Sequence, residues 1–314
     1  MYNIFIDGSV GTTGLRIASR LASRNDINLI SIPEELRKDN DAIAERINAS
    51  DVTFLCLPDA AAKEAVTLCT NPNTVIIDAS TAHRTADGWA YGFPELGEDF
   101  RNKIVNSKRI ANPGCHASGF NSIVYPLVKG GFIDHDYPVV SHSITGYSGG
   151  GKGMIASYED TARDEKYESP AQYGLTAKHK HLPEMKAVCG LAFEPAFNPI
   201  VSAFYSGMAV TVPLFDRLMA KKATVKELHE YFTEYYKNSR LISVMPLCEK
   251  GTEDGFLYAN TLSGKDSMQI IVCGNDERPQ ICALFCNLGK GASGAAIQNM
   301  NLVLGADECA GLII

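Results

Sequence analysis

No apolar run in this 314-residue chain reaches membrane-spanning length. The opening residues, Met1-Tyr2-Asn3-Ile4-Phe5-Ile6-Asp7, lack the basic region and apolar core of a signal peptide. Lysine and arginine never gather into a block, and the net charge is −7 with an isoelectric point near 5.5. A nucleic acid partner is therefore not expected. The nine cysteines are odd in number and lack the spacing of a secreted disulfide framework. A cytoplasmic, reducing setting with free thiols is the expectation. Cys282 and Cys286 are four apart, but Cys282-Ala-Leu-Phe-Cys286 is an apolar, strand-like run without further ligands nearby. Two thiols on one buried face is the better reading than a metal site, and no metal is expected. What remains is the composition of an ordinary globular protein, long enough for two domains.

The N-terminal part alternates strand and helix. Tyr2 to Asp7 is a short apolar strand that runs into Gly8-Ser9-Val10-Gly11-Thr12-Thr13-Gly14. A helical pattern follows through Leu15, Ile17, Ala18, Leu21 and Ala22. Glycines at this spacing let backbone N–H groups approach a pyrophosphate, and the helix N-terminus adds positive potential. Further strands are expected at Ile27–Ile32, Val52–Leu57 and Thr74–Asp78. Near-continuous apolar strands separated by helices predict a parallel sheet covered on both faces, with ligands at the carboxyl ends of its strands. Gly8, Gly11, Thr12, Thr13, Gly14, Leu57 and Ser80 are the expected cofactor-binding residues on that rim. A dinucleotide fold usually ends its second strand in Asp or Glu, for the ribose hydroxyls. Here the strand ends in Ser31-Ile32-Pro33, and Arg37-Lys38 follows Glu34-Glu35, which tilts the expectation toward NADP.

Asn112-Pro113-Gly114-Cys115 delivers a cysteine to the first turn of a predicted helix marked by Phe120, Ile123, Val124, Leu127 and Val128. An arbitrary cysteine is a small buried hydrophobe. A thiol at a helix N-terminus instead meets positive potential and unpaired N–H groups, which favour the nucleophilic thiolate. Thr81-Ala82-His83-Arg84 follows the fourth strand, and Arg84 suits a carboxylate or phosphate, with a surface ion pair as the plainer reading.

Beyond residue 120 the pattern turns mixed. Strands are expected at Val139–Thr145, Met208–Phe215, Leu241–Pro246, Met268–Cys273 and Gln280–Leu288, with a helix through Leu228, Phe232 and Tyr235. Gly146-Tyr147-Ser148-Gly149-Gly150-Gly151-Lys152-Gly153 reads as a flexible loop or a close-approach surface. His179-Lys180-His181-Leu182-Pro183-Glu184 places two imidazoles and a carboxylate in six residues. Thiol chemistry needs a proton acceptor and donor, and a carboxylate can orient an imidazole. A polar loop and a zinc chelate, with Cys189 as a third ligand, stay as alternatives. The small residues from Asn287 to Ala296 open a last helix, which is expected to return to the first domain.

In order along the chain, Gly8 to Gly14, Asn112 to Cys115, His179 to Glu184 and Asn287 to Asn301 resemble the N-acetyl-gamma-glutamyl-phosphate reductase family of arginine biosynthesis, in its shorter form. The resemblance spans nearly the whole chain. Two departures stand out: His116-Ala117-Ser118 where the family more often has Tyr-Pro-Thr, and Cys286 where it usually has aspartate. The resemblance implies an α/β fold, with a Rossmann-type domain at 1–115 plus about 290–314 and an α+β catalytic and dimerisation domain at 116–289. It implies a homodimer or homotetramer. Its chemistry is NADPH-dependent reduction of an acyl phosphate through a Cys115 thioester, with His179 or His181 as acid/base and Glu184 behind them. Asn287 joins the expected cofactor contacts, and Arg84, Asn112, Ser148 and Gly149 the expected substrate contacts. Aspartate-semialdehyde dehydrogenase, or a lysine-pathway relative, is the near alternative. A non-catalytic dinucleotide-binding redox sensor using Cys115 is the distant one.

Overall fold

A computed structural model describes residues 1–314, which divide into two compact units. The first comprises Met1–Gly114 and Ala292–Ile313; the second comprises Cys115–Gly291 with Ile314.

The first unit follows from the strand–helix alternation. In chain order it contains β1 (Tyr2–Asp7), α1 (Thr12–Leu21), β2 (Ile27–Ile30), α2 (Asn40–Ala49), β3 (Val52–Leu55), α3 (Asp59–Thr67), β4 (Val75–Asp78), β5 (Ala90–Tyr91), α4 (Glu98–Asn106) and β6 (Arg109–Ala111). The sheet order is β2-β1-β3-β4-β6-β5, and every pairing is parallel. Alternate residues along β1 face opposite sides. Ile4 and Ile6 pack with Ile17 and Leu21 of α1. Phe5 packs with Ile43 and Ile47 of α2 and with Ala62 and Ala65 of α3. The C-terminal helix, Gly294–Val303, belongs to this unit and buries Ala296, Ile297 and Met300 on the Ile4 side. β1 pairs with β2 on one side and β3 on the other, so the sheet reverses its winding at β1 and β3. In open α/β sheets that is where ligands bind, beyond the carboxyl ends of the strands.

The second unit contains α5 (Cys115–Lys129), β7 (Val140–Gly146), α6 (Gly151–Glu159), β8 (Ala171–Gln172), α7 (Leu182–Cys189), β9 (Ala196–Ser202), β10 (Met208–Pro213), α8 (Val225–Tyr236), β11 (Ile242–Val244), β12 (Met268–Asn275) and β13 (Arg278–Phe285). Its seven strands run in the order β11-β12-β13-β10-β7-β9-β8. The β7–β9 and β11–β12 pairs are parallel and the remainder antiparallel. α5 lies on β10 and β13. Gly119 makes that approach possible, because a Cβ there would press into Val210 and Phe285.

Two local expectations change. The glycine-rich stretch after β7 is not a loop throughout: one tight turn at Tyr147–Gly150 leads directly into α6. Tyr158, buried and stacked on Tyr147, secures that helix. The last helix begins later than Asn287. A π-helical turn at Gly289–Ser293 precedes it, an uncommon conformation that recurs at functional sites.

Candidate active site

The glycine turn after β1 forms a cradle in which Gly8 and Gly14 leave no room for a side chain. Gly8 has φ +81°, and a Cβ on it would collide with the carbonyl oxygen of Cys56, just past β3. A Cβ on Gly14 would meet Ser9 Cα at 2.8 Å, so the first turn of α1 presses against the same loop. Gly11 caps α1 without a side-chain hydrogen bond, and no acidic residue occupies the first turn. The N–H groups around Thr12 and Thr13 thus meet no carboxylate of their own helix, which suits a pyrophosphate.

Leu57 and Ser80 extend the same rim, after β3 and β4. Ser80 is pinned: Asp78 accepts from its backbone N–H at 2.9 Å and from its hydroxyl at 2.7 Å. Asp78 also bonds His83 Nδ1 at 2.6 Å, and the His83 ring stacks on Trp89. Asp7 ends β1 buried, and desolvation raises its pKa to about 6 against the opposing pull of the Gly8 N–H. Burial, and then the charges of Asp78 and Asp7, push Cys56 up to about 12. Cys56 is therefore an inert thiol.

Arg84 donates through Nε to the Asn112 carbonyl at 3.0 Å and through Nη2 to the Ala79 carbonyl at 3.2 Å. Two of the nitrogens expected to hold substrate therefore brace the ends of β4 and β6. Asn112 is buried and donates to the Ala292 carbonyl at 3.0 Å. Its amide ties the Asn112-Pro113-Gly114 segment to the chain just before the C-terminal helix.

In the second unit, Cys115 is the first residue of α5 and only partly buried. A Cβ on Gly291, in the π-helical turn, would stand 2.9 Å from Cys115 Cβ. The small residue at 291 is therefore needed for the turn to pass so close to the cysteine. Next along α5, His116 is buried and bonded at both ring nitrogens. Nδ1 lies 2.7 Å from Ser143 Oγ on β7, and Nε2 lies 2.6 Å from Tyr173 Oη, just past β8. The rings of His179 and His181 lie 5.5 and 5.6 Å from that of His116, and 4.8 Å from each other. Phe197 of β9 closes the cluster, 5.2 Å from His116 and 5.1 Å from His179. Burial first, then the charges of His179 and Lys180, lower the His116 pKa to about 3. Burial, then the charge of Cys115, pushes the Tyr173 phenol up.

The His179-to-Glu184 motif forms the approach to α7. The His181 N–H donates to His179 Nδ1 at 3.2 Å, and the Leu182 N–H donates to the His179 carbonyl at 3.0 Å. His181 sits at the N-cap, and Glu184 is buried in the first turn, where the helix dipole favours a carboxylate. Cys189, the third ligand in a zinc reading, ends α7 buried and donates to Asn121 Oδ1 at 3.3 Å. No group of three metal-binding side chains is assembled anywhere in the chain.

Ser148, Gly149 and Asn287 come together in this unit. Asn287 Nδ2 donates to Ser148 Oγ at 3.1 Å, and Asn287 Oδ1 accepts from the Gly207 N–H at 2.9 Å. Asn287, expected to contact the cofactor, thus uses both ends of its amide within the second unit.

His116, which follows the thiol in α5, and its two hydrogen-bond partners Ser143 and Tyr173 escaped sequence reasoning. A histidine immediately after the nucleophile was the one available signal. Ser143 sits on a strand of alternating polarity, and Tyr173 follows a two-residue strand, so neither stands out by spacing.

Residues 12–104 match the semialdehyde dehydrogenase NAD binding domain, and residues 115–286 match the semialdehyde dehydrogenase dimerisation domain. A relative from Pseudomonas putida, N-acetyl-gamma-glutamyl-phosphate reductase 2, is 42% identical over 310 residues, covering 98% of each chain. The Nostoc sp. protein of the same name is 43% identical, again over 98% of each. N-acetyl-gamma-glutamyl-phosphate reductase of Brucella ovis is 45% identical over 96% of this chain and 98% of its own. The chain belongs to the N-acetyl-gamma-glutamyl-phosphate reductase family. Aspartate semialdehyde dehydrogenase II of Vibrio cholerae has the same fold, with a TM-score of 0.72 at 13% identity, covering 97% of this chain and 98% of that one. The family placement makes the protein an oxidoreductase that uses a nicotinamide dinucleotide. It also attaches the second unit to a fold described by its dimerisation. No helix is long and apolar enough to cross a membrane.

Proposed function

We propose that the protein reduces N-acetyl-gamma-glutamyl phosphate to N-acetylglutamate 5-semialdehyde and phosphate in arginine biosynthesis, with NADPH as reductant. The observation that carries this reading is the grouping of the His116, His179 and His181 rings with Tyr173, beside a thiol that opens α5. The relatives at 42–45% identity carry this substrate in their names, whereas the likeness to aspartate semialdehyde dehydrogenases supports the fold alone.

Cys115 attacks the acyl carbon as thiolate. The C–S bond forms, and the bond from carbon to the bridging phosphate oxygen breaks with its electron pair leaving on phosphate. A thioester suits the next stage, because it accepts hydride more readily than an ester or amide and its thiolate leaves well. The chemistry supplied by a bound nicotinamide dinucleotide is hydride donation. The first α5 turn offers N–H groups to the oxyanion of the tetrahedral species. His179 Nδ1 accepts a backbone N–H, so its neutral ring carries hydrogen on Nε2 and donates to the same oxygen. His181 then moves the proton as the thiohemiacetal forms and collapses, with Glu184 holding the ring's orientation.

Gly8, Gly11, Thr12, Thr13 and Gly14 hold the pyrophosphate, with Leu57 and Ser80 on the same rim. NADP is preferred because β2 runs out in Ser31-Ile32-Pro33 with no acidic residue, and Arg37 and Lys38 follow. Ser148 and Gly149 contact the acyl group from the loop braced by Asn287, and Asn112 and Arg84 shape the rim after β6 and β4. The second unit assembles the protein as a homodimer or homotetramer, and nine free thiols fit a reducing cytoplasm.

The test is phosphate-dependent reduction of NADP by N-acetylglutamate 5-semialdehyde, the reverse reaction. Activity in wild type and its loss in Cys115→Ala are expected. Activity with aspartate semialdehyde instead, or an active Cys115→Ala protein, would overturn the reading.

A further inference from the structure

The segment after β4 engages its polar side chains with the protein itself, and one ring nitrogen is left over. Ser80 donates to Asp78 through its N–H and its hydroxyl, and the same hydroxyl accepts from the Ala82 N–H at 3.1 Å. Thr81 gives its N–H and its hydroxyl to Asp59, the first residue of α3. Arg84 braces the Ala79 and Asn112 carbonyls. His83 differs. Its Nδ1 lies 2.6 Å from Asp78 Oδ2, and its ring stacks on Trp89 at 4.0 Å with the planes 11° apart. Asp78 is fully buried and, as a carboxylate, only accepts, so the hydrogen of this bond sits on His83 Nδ1. In the neutral ring the lone pair is then on Nε2. The bond to Asp78 is the only hydrogen bond His83 makes within the chain, and 11% of its side chain stays exposed.

The sheet order says what passes that nitrogen. The glycine loop follows β1, and β2, with Arg37 and Lys38 beyond it, lies on one side of β1. In a doubly wound sheet the pyrophosphate sits at the helix after the first strand, and the adenosine ribose at the end of the second. The other half of the dinucleotide therefore runs the opposite way from the loop, over the carboxyl ends of β3 and β4. His83 follows β4 and is tied to Asp78, its last residue. The nicotinamide riboside brings hydrogen-bond donors to that end, on its ribose hydroxyls and its carboxamide. An acceptor held by a buried carboxylate and a ring stack is organised in advance to meet one of them.

We propose that His83 is a cofactor-binding residue for the nicotinamide riboside half of the dinucleotide, accepting at Nε2 a hydrogen bond from a ribose hydroxyl or from the carboxamide. Asp78 positions it by fixing the tautomer, and Trp89 fixes the plane of the ring. The proposal rests on the glycine loop as the pyrophosphate site.

The experiment is calorimetric titration of the full chain with NADPH or NADH, whichever binds wild type more tightly, and with two fragments of that molecule. One fragment lacks the nicotinamide ring but keeps its ribose; the other ends at the pyrophosphate. His83→Asn keeps an amide donor near the place of Nδ1, toward Asp78, and has nothing at Nε2. It is expected to weaken the whole dinucleotide by about 5- to 10-fold and to leave the pyrophosphate-ended fragment within about twofold of wild type. Equal weakening of the ribose-bearing fragment assigns the bond to a ribose hydroxyl, and an unchanged one assigns it to the carboxamide; both support the proposal. An unmoved affinity for the dinucleotide would overturn it. So would an equal loss for the pyrophosphate-ended fragment, which would mean a contact with the phosphates or a disturbed loop. Should His83→Asn fail to fold by circular dichroism, His83→Phe, which keeps the stack on Trp89, decides by the same comparison. A wild type that binds neither dinucleotide would overturn the glycine-loop reading and this proposal with it. Inactivity toward N-acetylglutamate 5-semialdehyde with these affinities intact would overturn the proposed substrate alone.

Discussion

The two units build their sites in opposite ways. In the first, one continuous stretch, Gly8 to Gly14, supplies the turn, the close backbone approach and the open helix end together. In the second, the surroundings of the consecutive pair Cys115 and His116 come from α5, β7, the segment after β8, the approach to α7 and the turn at Gly291, which span residues 115 to 291. A binding loop can be local because backbone groups do the work. A nucleophile needs several different side chains, and only a folded sheet brings them together.

The largest test of that contrast removes the thiol. Cys115→Ala should lower turnover by at least ~10³-fold while leaving dinucleotide binding intact, because the glycine loop does not depend on it. Turnover assays and a fluorescence titration with NADPH check the two halves. Next come the imidazoles. His181→Asn should reduce kcat by roughly 10²- to 10⁴-fold with little change in KM, and His179→Asn should fall by a smaller factor if it only donates a hydrogen bond. Equal losses, with bell-shaped pH profiles altered alike, would merge the two roles.

Gly8→Ala breaks the other side of the comparison. Its Cβ would strike the Cys56 carbonyl at a φ of +81°, so a cost of about 2–3 kcal/mol is expected, with weakened cofactor binding. Chemical denaturation and the same titration measure both, while Cys115 alkylation should be unchanged.

The smallest effects separate the units by the sign of their pH dependence. Asp7 has a folded pKa raised from 3.8 to about 6, so the folded state binds the extra proton in that window. Its contribution is fully present at low pH and is lost as pH rises from about 4 to 6. His116 has a folded pKa lowered from 6.5 to about 3, so the unfolded chain binds the extra proton there. Its contribution is present at neutral pH and is lost as pH falls below 6.5. Between pH 7 and 5, His116 should cost about 2 kcal/mol of stability and Asp7 should return about 1 kcal/mol. Asp7→Asn should therefore steepen the acid loss of stability, and His116→Gln should flatten it, in denaturant melts across that range.

What the sequence revealed follows the same division. The parallel strands of the first unit were legible because strands buried on both faces are continuously apolar, as in Ile4-Phe5-Ile6. Their ends were read two residues too far at Ile32 and Leu57, where the apolar character outlasts the pairing. Cys115 and the His179–His181 pair were legible as residue types in telling places. Tyr173 was not, because a two-residue strand has no period to detect. β9 was hidden by Pro199, which sits within a strand paired to β7 on one side. Asn287 was found for its place in a motif, while its hydrogen bonds to Ser148 and Gly207 depend on tertiary structure alone.

The central claim is that Cys115 becomes acylated. Incubating the protein with N-acetyl-gamma-glutamyl phosphate, without any dinucleotide, should place one N-acetylglutamyl group on the Cys115 peptide and release one phosphate, as read by peptide mass spectrometry. An unmodified Cys115, or an acyl group on another of the nine cysteines, would contradict it.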